Sequence, residues 1–297
     1  MSGMTVAITG ASGFVGRALT PALRAAGYTV RTVGRGSSSD VLWDPRAGRL
    51  RAADLDGVDA VVHLAGASVS ERWTPEHKRE ILESRVRGTS LIATTIAAMP
   101  RKPKVLVSAS AIGIYGSRGD EWLSEDGSLG GDFLADVGRA WESNADVAQD
   151  AGIRVVHPRI GIVLSPDGGA LAKMLPPFRF GVGGPMGSGG QWMSWIAIDD
   201  LIGAIQFALV TETLAGPVNA VAPSPVTNAA FGAALGAALH RPAILPVPAF
   251  ALRLIFGEMA EATVLASQRV RATKLAAAGY AFRYPELDGA LRHLLAR

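Results

Sequence analysis

Three glycines near the amino terminus have the spacing of a phosphate-binding turn. Gly10, Gly13 and Gly16 form the pattern GxxGxxG directly after a short apolar run, Val6 to Ile8. In such a turn the first glycine permits a tight bend, the second lets the backbone approach a pyrophosphate, and the third allows close packing on the sheet. The N–H groups and dipole of the following helix would then hold the phosphates. The pattern predicts a dinucleotide site, although a purely structural turn also uses glycine.

The chain after the second predicted strand, Tyr28 to Val33, indicates which dinucleotide binds. An NAD site usually has an acidic residue there, about 20 residues beyond the glycines, to hold the ribose 2′-hydroxyl. This chain has no acidic residue at the strand end, and Asp40 is the first. Arg35 could instead bind a 2′-phosphate, with Ser37 and Ser38 as further donors. We therefore predict NADP(H) rather than NAD(H); the alternative is that Arg35 is a solvated loop residue.

Composition narrows the class of protein. The 297 residues are enough for one large or two modest domains, and 48% are apolar, so a substantial core can form. The net charge is +3 and the basic residues are scattered, which argues against nucleic acid as a partner. Cysteine is absent, and the five histidines lack metal-ligand spacing, so we expect no metal site. We see no signal segment and no apolar run long enough for a bilayer, and expect a cytoplasmic protein.

Predicted strands alternate with predicted helices along the first half of the chain, which indicates an α/β fold with a doubly wound parallel sheet, Rossmann-like. These elements are a helix at Phe14 to Ala26, a strand at Asp59 to Leu64, a helix at Thr74 to Met99, a strand at Val105 to Ser108, a helix at Asp132 to Ala151 and a strand at Ile153 to His157. A histidine inside an apolar strand is usually a hydrogen-bonded core residue, and we interpret His63 in this way.

We predict two domains. Residues 1–165 would form the dinucleotide-binding domain, and residues 166–297 a smaller, mostly helical substrate lobe, with some residues near 195–222 returning to the sheet. The second part begins with glycine- and proline-rich segments and ends in a leucine- and alanine-rich region that is helical in character. Lys173 and Arg179 in this part could meet an anionic substrate or could be solvated.

Several segments together resemble the extended short-chain dehydrogenases/reductases, and one branch of them in particular. This branch comprises proteins labelled nucleoside-diphosphate-sugar epimerases, within the NAD-dependent epimerase/dehydratase family, which carry an uncharacterised C-terminal domain. The resemblance covers essentially the whole chain. The matching segments are TGASGFVG, HLAG, SRVRGT (Ser84 to Thr89), SASAIGIYG, FLADVGRAWE (Phe133 to Glu142), GGALAKMLPPFR (Gly168 to Arg179), GVGGPMGSGGQWMSWI (Gly181 to Ile196) and APSPVTN (Ala222 to Asn228).

The resemblance implies an extended Rossmann fold that binds NADP(H) through the glycine turn, the loop after the second strand and the ends of later strands. Arg85 stands where most extended members place an Asn, but it agrees with the branch. The cofactor-binding residues implied are Gly10, Ser12, Gly13, Phe14, Val15, Gly16, Arg35, Gly36, Ser37, Leu64, Ala65, Gly66, Glu80, Arg85, Ser108 and Arg159.

The same resemblance reveals a missing catalytic relay. The superfamily uses a Ser or Thr followed by a Tyr-x-x-x-Lys motif, in which the Tyr moves the proton and the Lys lowers its pKa. Ser110 matches the Ser. The Tyr position falls at Leu134 or Ala135 and the Lys position at Gly138 or Arg139, and none of the four tyrosines has a lysine four residues later.

Two hypotheses about function therefore stay open. The first is an NADP(H)-dependent, epimerase-like oxidoreductase acting on an alcohol, a carbonyl compound or a sugar nucleotide, with Ser110 polarising the carbonyl. Tyr115 is the weaker catalytic candidate, since packing beside Gly116 is the more usual role for such a residue. The second is an NADP(H)-binding protein without turnover that acts through a partner. The oligomeric state is open and a homodimer is compatible with the sequence.

Overall fold

The computed structural model describes residues 3–296, so the predicted domain ranges extend outside the described residues at positions 1, 2 and 297. The strands in chain order are β1 (Thr5–Thr9), β2 (Thr29–Gly34), β3 (Val41–Leu42), β4 (Ala60–His63), β5 (Val105–Ser108), β6 (Ser110–Ala111), β7 (Trp122–Leu123), β8 (Arg154–Ile160), β9 (Ile162–Ser165), β10 (Trp192–Met193), β11 (Trp195–Ala197), β12 (Gly216–Ala220), β13 (Val226–Thr227) and β14 (Arg269–Val270).

Ten α-helices are present in the described residues. They are α1 (Phe14–Ala25), α2 (Pro75–Ala97), α3 (Phe133–Ser143), α4 (Asp146–Asp150), α5 (Gly169–Arg179), α6 (Ile198–Val210), α7 (Asn228–Leu239), α8 (Ala249–Phe256), α9 (Thr273–Ala277) and α10 (Leu287–Leu295). Two short 3₁₀ turns, Ala52–Leu55 and Ile112–Tyr115, and a π turn, Ala260–Val264, complete the set.

The central sheet has eight parallel strands, with the order β12-β8-β5-β4-β1-β2-β3, and β6 pairs with the end of β8. Successive residues of β1 alternate between two cores: Val6 and Ile8 pack in the core that contains α1 and α6, whereas Ala7 packs in the core that contains α2 and α4. An apolar strand buried on both faces is typical of a parallel sheet covered by helices. The predicted doubly wound α/β fold is confirmed.

One predicted helix is wrong. The residues 132–151 that we assigned to a single helix form α3 and α4, which are separated at Asn144 and Ala145. The Asn144 side-chain amide donates a hydrogen bond of 2.7 Å to the Ala140 carbonyl oxygen. Since asparagine side chains compete with the helix for backbone groups in this way, the helix ends there.

The part of the chain after β9 is richer in helix and contributes to three two-stranded sheets, β9 with β11, β10 with β13, and β7 with β14. It also contributes β12, which pairs in parallel with β8 at the edge of the central sheet. The division at residues 165 and 166 stays a prediction. Within residues 3–296, no helix combines the length and the apolar character needed to cross a membrane.

Candidate functional site

A cleft of about 770 Å³ opens where β1, β2 and β4 end. Its walls include residues 10–13 after β1, residues 34–36 around the end of β2, and residues 64–67 after β4. These three strands are neighbours in the parallel order β4-β1-β2, so their carboxyl-end loops converge on one edge of the sheet. Ligands of open α/β sheets bind in the crevice at this edge.

The glycines of the turn allow a close approach between backbone segments beside this cleft that a side chain would prevent. Gly10 has a φ of +71°, and a Cβ there would lie 2.9 Å from the Ala65 nitrogen. A Cβ at Gly16 would overlap the Gly10 carbonyl oxygen. Gly13 donates its N–H to that same oxygen at 2.9 Å, which closes the turn. The turn therefore brings bare backbone to the cleft, as phosphate binding requires.

The first turn of α1 is the second part of this cradle. Gly13 is its N-cap residue, and no side chain among the described residues caps it. The first N–H groups of a helix have no partner within the helix, so they are available to an anion when no side chain satisfies them. The predicted contacts at Phe14 and Val15 fit this position through their backbone, since both stand in the first turn.

The rim of the cleft is rich in arginine. The arginines that line it are Arg17, Arg24, Arg35, Arg46 and Arg87, and the acidic residues are Glu80 and Glu83. Each acidic residue forms an ion pair with an arginine of the same rim: Glu80 with Arg46 at 2.8 Å, and Glu83 with Arg87 at 3.0 Å. The remaining positive charge favours an anionic ligand.

Of these five arginines, sequence reasoning found only Arg35. A signal existed for Arg87, because it shares one face of α2 with Glu80, Glu83 and Ser84 at helical spacing, and all four line the cleft. Arg46 follows β3, a two-residue strand in a polar stretch that no pattern indicated.

The structure brings many of the predicted cofactor residues to this cleft. Those that line it are Gly10, Ser12, Gly13, Arg35, Gly36, Leu64, Ala65, Gly66 and Glu80. Phe14, Val15 and Gly16 form the first turn of α1 but do not line the cleft. The Phe14 ring covers Gly168 and Gly169, because a Cβ on either would lie within 3.0 Å of it. Ser37 is exposed, and its neighbour Ser38 lines the cleft instead.

Arg85 supports the cleft from behind and does not line it. Its Nη1 donates hydrogen bonds of 3.0 Å to the carbonyl oxygens of Ala67 and Ile81. Its guanidinium lies 4.6 Å from the centre of the Trp141 ring and packs beneath Gly66. Burial lowers the pKa of Arg85 to about 10. Its contacts indicate that it positions the loop at residues 66 and 67.

Ser110 is almost fully buried, and its hydroxyl forms a hydrogen bond with a carboxylate. Its Oγ donates a hydrogen bond of 2.7 Å to Oε1 of Glu142. Arg159 holds the same carboxylate in a two-bond pair, from Nε at 2.8 Å and from Nη2 at 2.8 Å. Burial alone would raise the pKa of Glu142, but the hydrogen bonds and charge of Arg159 lower it below its usual value. Glu142 is therefore an ionised partner and a poor base.

Tyr115 and Arg159 belong to the same buried network. The Tyr115 hydroxyl donates to Oδ1 of Asn219 at 2.8 Å and accepts from Nη1 of Arg159 at 2.9 Å. Its side chain has no exposed surface, and burial raises its pKa. The structure thus supports the packing interpretation of Tyr115. Arg159 does not line the cleft, because its guanidinium forms hydrogen bonds with Glu142 and Tyr115 in the interior.

His63 and Ser108 are neighbours in register on β4 and β5, and both are fully buried. The His63 ring forms hydrogen bonds with Thr9 at 2.7 Å and Thr89 at 3.1 Å, so its interpretation as a core residue is confirmed. Burial lowers its pKa to about 3. The Ser108 Oγ has no hydrogen-bond partner within the described part of the chain and does not line the cleft.

The two candidate positions for the relay lysine are both used for structure. A Cβ at Gly138 would lie 2.8 Å from Cβ of Ile114, so no side chain fits there without movement. Arg139 pairs with Asp136 and donates to the Gly130 carbonyl oxygen at 2.6 Å.

Comparison with known proteins decides the family. The profile of the NAD dependent epimerase/dehydratase family matches residues 6–220, and a domain of unknown function, DUF1731, matches residues 247–294. The chain belongs to the NAD dependent epimerase/dehydratase family. An epimerase family protein of Mycobacterium bovis is 40% identical over 301 residues, which cover 100% of this chain and 99% of the relative.

Two further relatives of this epimerase family are informative. The chloroplastic SDR39U1 homologue of Arabidopsis thaliana is 42% identical and covers 99% of this chain and 87% of its own length. The crystal structure of human epimerase family protein SDR39U1 (isoform 2) with NADPH has a TM-score of 0.90 at 36% identity, and 99% of each chain is covered. Because one relative is chloroplastic, the family does not establish the predicted cytoplasmic location. The homodimer and the absence of nucleic-acid binding also stay predictions.

Proposed function

We propose that this chain binds NADP(H) in the glycine-turn cleft and uses it as an epimerase-like oxidoreductase. The observation that carries the proposal is a single cleft that joins a side-chain-free cradle at Gly10 and Gly13 to a rim containing Arg35. The cradle fits a pyrophosphate, and the arginine fits a 2′-phosphate. The human SDR39U1 structure was determined with NADPH, and its likeness to this chain supports the choice of cofactor.

Each part of the cleft would have its own task. The backbone at residues 10–13 and the uncapped start of α1 would bind the pyrophosphate, and Arg35 would select the phosphorylated ribose. Arg85 would hold the loop at residues 66 and 67 in place through its bond to the Ala67 carbonyl oxygen. When bound, NADP(H) supplies or accepts hydride, which suits an alcohol, a carbonyl compound or a sugar nucleotide as substrate.

The proton must move by a route other than a Tyr-Lys relay. Ser110 stands at the position that resembles the superfamily serine, but its hydroxyl donates a hydrogen bond to Glu142. Before it could polarise a carbonyl, the Ser110 hydroxyl would have to rotate away from that carboxylate. Water or a group of the substrate itself would then supply or accept the proton. Hydride positioning still accelerates such a reaction, because orientation contributes independently of acid–base catalysis.

A second candidate function is NADP(H) binding without turnover, with a partner that reads the state of the cofactor. Two observations favour it: the Ser110 hydroxyl is directed at Glu142, and the space for a relay lysine at Gly138 is filled by Ile114. The cradle and the arginine rim suit both functions equally, so turnover is the property that separates them.

The first experiment measures binding through NADPH fluorescence in the wild type, Gly10→Ala and Gly27→Ala. Both glycines have a positive φ, +71° and +85°, but a Cβ at Gly27 meets nothing within 4 Å and Gly27 does not line the cleft. We expect Gly10→Ala to lose binding and Gly27→Ala to keep it. Absence of NADPH binding by the wild type would overturn the proposal.

The second experiment follows NADPH consumption with a panel of carbonyl compounds and sugar nucleotides. Steady consumption with any of them supports the oxidoreductase and removes the pure binding function. Tight binding without turnover across the panel supports the second candidate.

A further inference from the structure

A short hairpin after β3 carries an arginine to the rim of the cleft. Asp44 and Arg49 exchange two backbone hydrogen bonds of 2.9 Å, and the Asp44 carboxylate accepts the N–H of Arg46 and of Ala47 at 3.1 Å each. The hairpin is anchored by Trp43, whose side chain is buried and whose backbone N–H donates a hydrogen bond of 2.9 Å to the Gly34 carbonyl oxygen. Arg46 therefore stands on a fixed backbone.

The sheet brings this hairpin beside the loop that holds Arg35. β3 runs parallel to β2 with Val41 opposite Val33 and Leu42 opposite Gly34, so both chains leave the sheet at the same edge. Arg35 and Arg46 both line the cleft. Two arginines that follow adjacent strands thus line the same cleft.

Arg46 forms an ion pair with Glu80, which lines the same cleft. Its Nη2 lies 2.8 Å from Oε1 of Glu80 on α2, and the side chains of both residues are exposed, at 66% and 43%. An exposed ion pair contributes little to stability, so the guanidinium can exchange its partner at low cost. A phosphate with a charge near −2 and three acceptor oxygens is a stronger partner than one carboxylate.

We propose that Arg46 is a second ligand for the 2′-phosphate of NADP(H), and that Glu80 holds it at the rim until the cofactor arrives. The inference rests on the proposed binding of NADP(H) and adds a residue that determines specificity. It also revises the predicted role of Glu80, which acts on the arginine rather than on the cofactor. NADH carries a hydroxyl at this position and gives Arg46 no charged partner, so the contribution is selective.

The test measures dissociation constants for NADPH and NADH by fluorescence in the wild type, Arg46→Ala, Arg49→Ala and Glu80→Gln. Arg49 is the matched control, because it belongs to the same hairpin and pairs with Asp44 at 3.1 Å but does not line the cleft. We expect Arg46→Ala to weaken NADPH binding about ten-fold, the size of one charge-assisted contact, with NADH changed less than about two-fold. Arg49→Ala should leave both constants unchanged.

Glu80→Gln should change the affinity for NADPH in the opposite direction to Arg46→Ala. Removal of the carboxylate frees Arg46 and removes a negative charge near the phosphate, so NADPH binding should tighten by about two-fold or more. Weaker NADPH binding in this variant would overturn the inference, because it would make Glu80 a direct ligand. Equal effects of Arg46→Ala and Arg49→Ala, or equal losses of NADPH and NADH in Arg46→Ala, would also overturn it.

These outcomes are distinct from failure of the proposed function. If the wild type binds NADPH but Arg46→Ala behaves as the control does, the proposed function stands and the role of Arg46 is refuted. If the wild type binds neither dinucleotide, both are refuted. Thermal unfolding of each variant verifies that the fold is retained.

Discussion

Gly138 on α3 lies so close to Ile114 that a Cβ at position 138 would come within 2.8 Å of the Ile114 Cβ. This distance is too short for two carbon atoms that are not bonded, so a side chain at position 138 would force α3 or Ile114 to move. Ile114 is itself buried in the core and has little room to do so. The resemblance to the extended short-chain dehydrogenases/reductases predicts the relay lysine at this position or at the next one. The packing of α3 on the turn at Ile112–Tyr115 therefore leaves no room for a side chain at one of the two positions where the sequence predicts the relay lysine.

The packing at Gly138 predicts the outcome of an attempt to restore the lysine. Gly138→Lys should lower the free energy of unfolding by about 1–3 kcal/mol, the usual cost of overpacking, and should not create turnover. Urea denaturation measures the first effect and NADPH consumption the second. Arg139→Lys restores a lysine at the other candidate position, and because it retains the charge on a partly exposed side chain we expect a change in the free energy of unfolding below about 1 kcal/mol. A fully stable Gly138→Lys protein would show that α3 can move away from Ile114.

Arg35 provides a prediction about cofactor choice. It follows β2 and lines the cleft, in the place where an NAD enzyme would use an acidic residue. Arg35→Ala should weaken NADPH binding about ten-fold or more, and should change NADH binding little, since only the phosphate is a charged partner. Titration of NADPH and NADH fluorescence measures both constants. Equal losses for the two cofactors would contradict the assignment of the 2′-phosphate to Arg35.

The ion pair of Glu142 with Arg159 predicts a large effect on stability. Glu142→Gln leaves the buried guanidinium without a counter-charge, which should cost about 3–5 kcal/mol in the free energy of unfolding. The control is Glu121→Gln, which breaks the exposed pair with Arg118 and should cost less than about 1 kcal/mol. Urea denaturation of both variants makes the comparison. Similar losses in the free energy of unfolding for the two variants would show that the buried pair contributes no more to stability than a surface pair does.

His63 predicts a pH dependence of stability. Its pKa is lowered from 6.5 to about 3 by burial, so between these values the unfolded chain binds a proton that the folded chain does not. Stability is unaffected by this group above pH 6.5, and falls as pH decreases towards about 3, by up to about 1.4 kcal/mol per pH unit. The pKa of His157 is also lowered by burial, so His157 adds to the slope.

Replacement of His63 tests this assignment. His63→Gln should be less stable at neutral pH because it loses hydrogen bonds to Thr9 and Thr89, but its stability should depend less steeply on pH below 6.5. Denaturation curves across this range give the two slopes. The same slope in both proteins would contradict the assignment.

The sequence alone determined the features that depend on neighbouring residues. The strand at Val6 to Ile8, the glycine turn and the start of α1 are one continuous segment, so their types and spacing define both the local fold and its affinity for phosphate. Arg35 was predictable for the same reason, because it directly follows a recognisable strand. The lack of a Tyr-x-x-x-Lys motif could likewise be established by inspection of the four tyrosines.

Only the tertiary structure decided the roles that depend on distant contacts. Arg46 reaches the cleft because β3 pairs with β2, and a two-residue strand leaves no periodic pattern in the sequence. The resemblance predicts Arg159 as a cofactor residue, yet its partners Glu142 and Tyr115 lie 17 and 44 residues away in the sequence and hold its guanidinium in the interior. Sequence spacing fixes which groups a segment offers, whereas packing between segments decides which of them face the cleft, because that depends on contacts that no local pattern encodes.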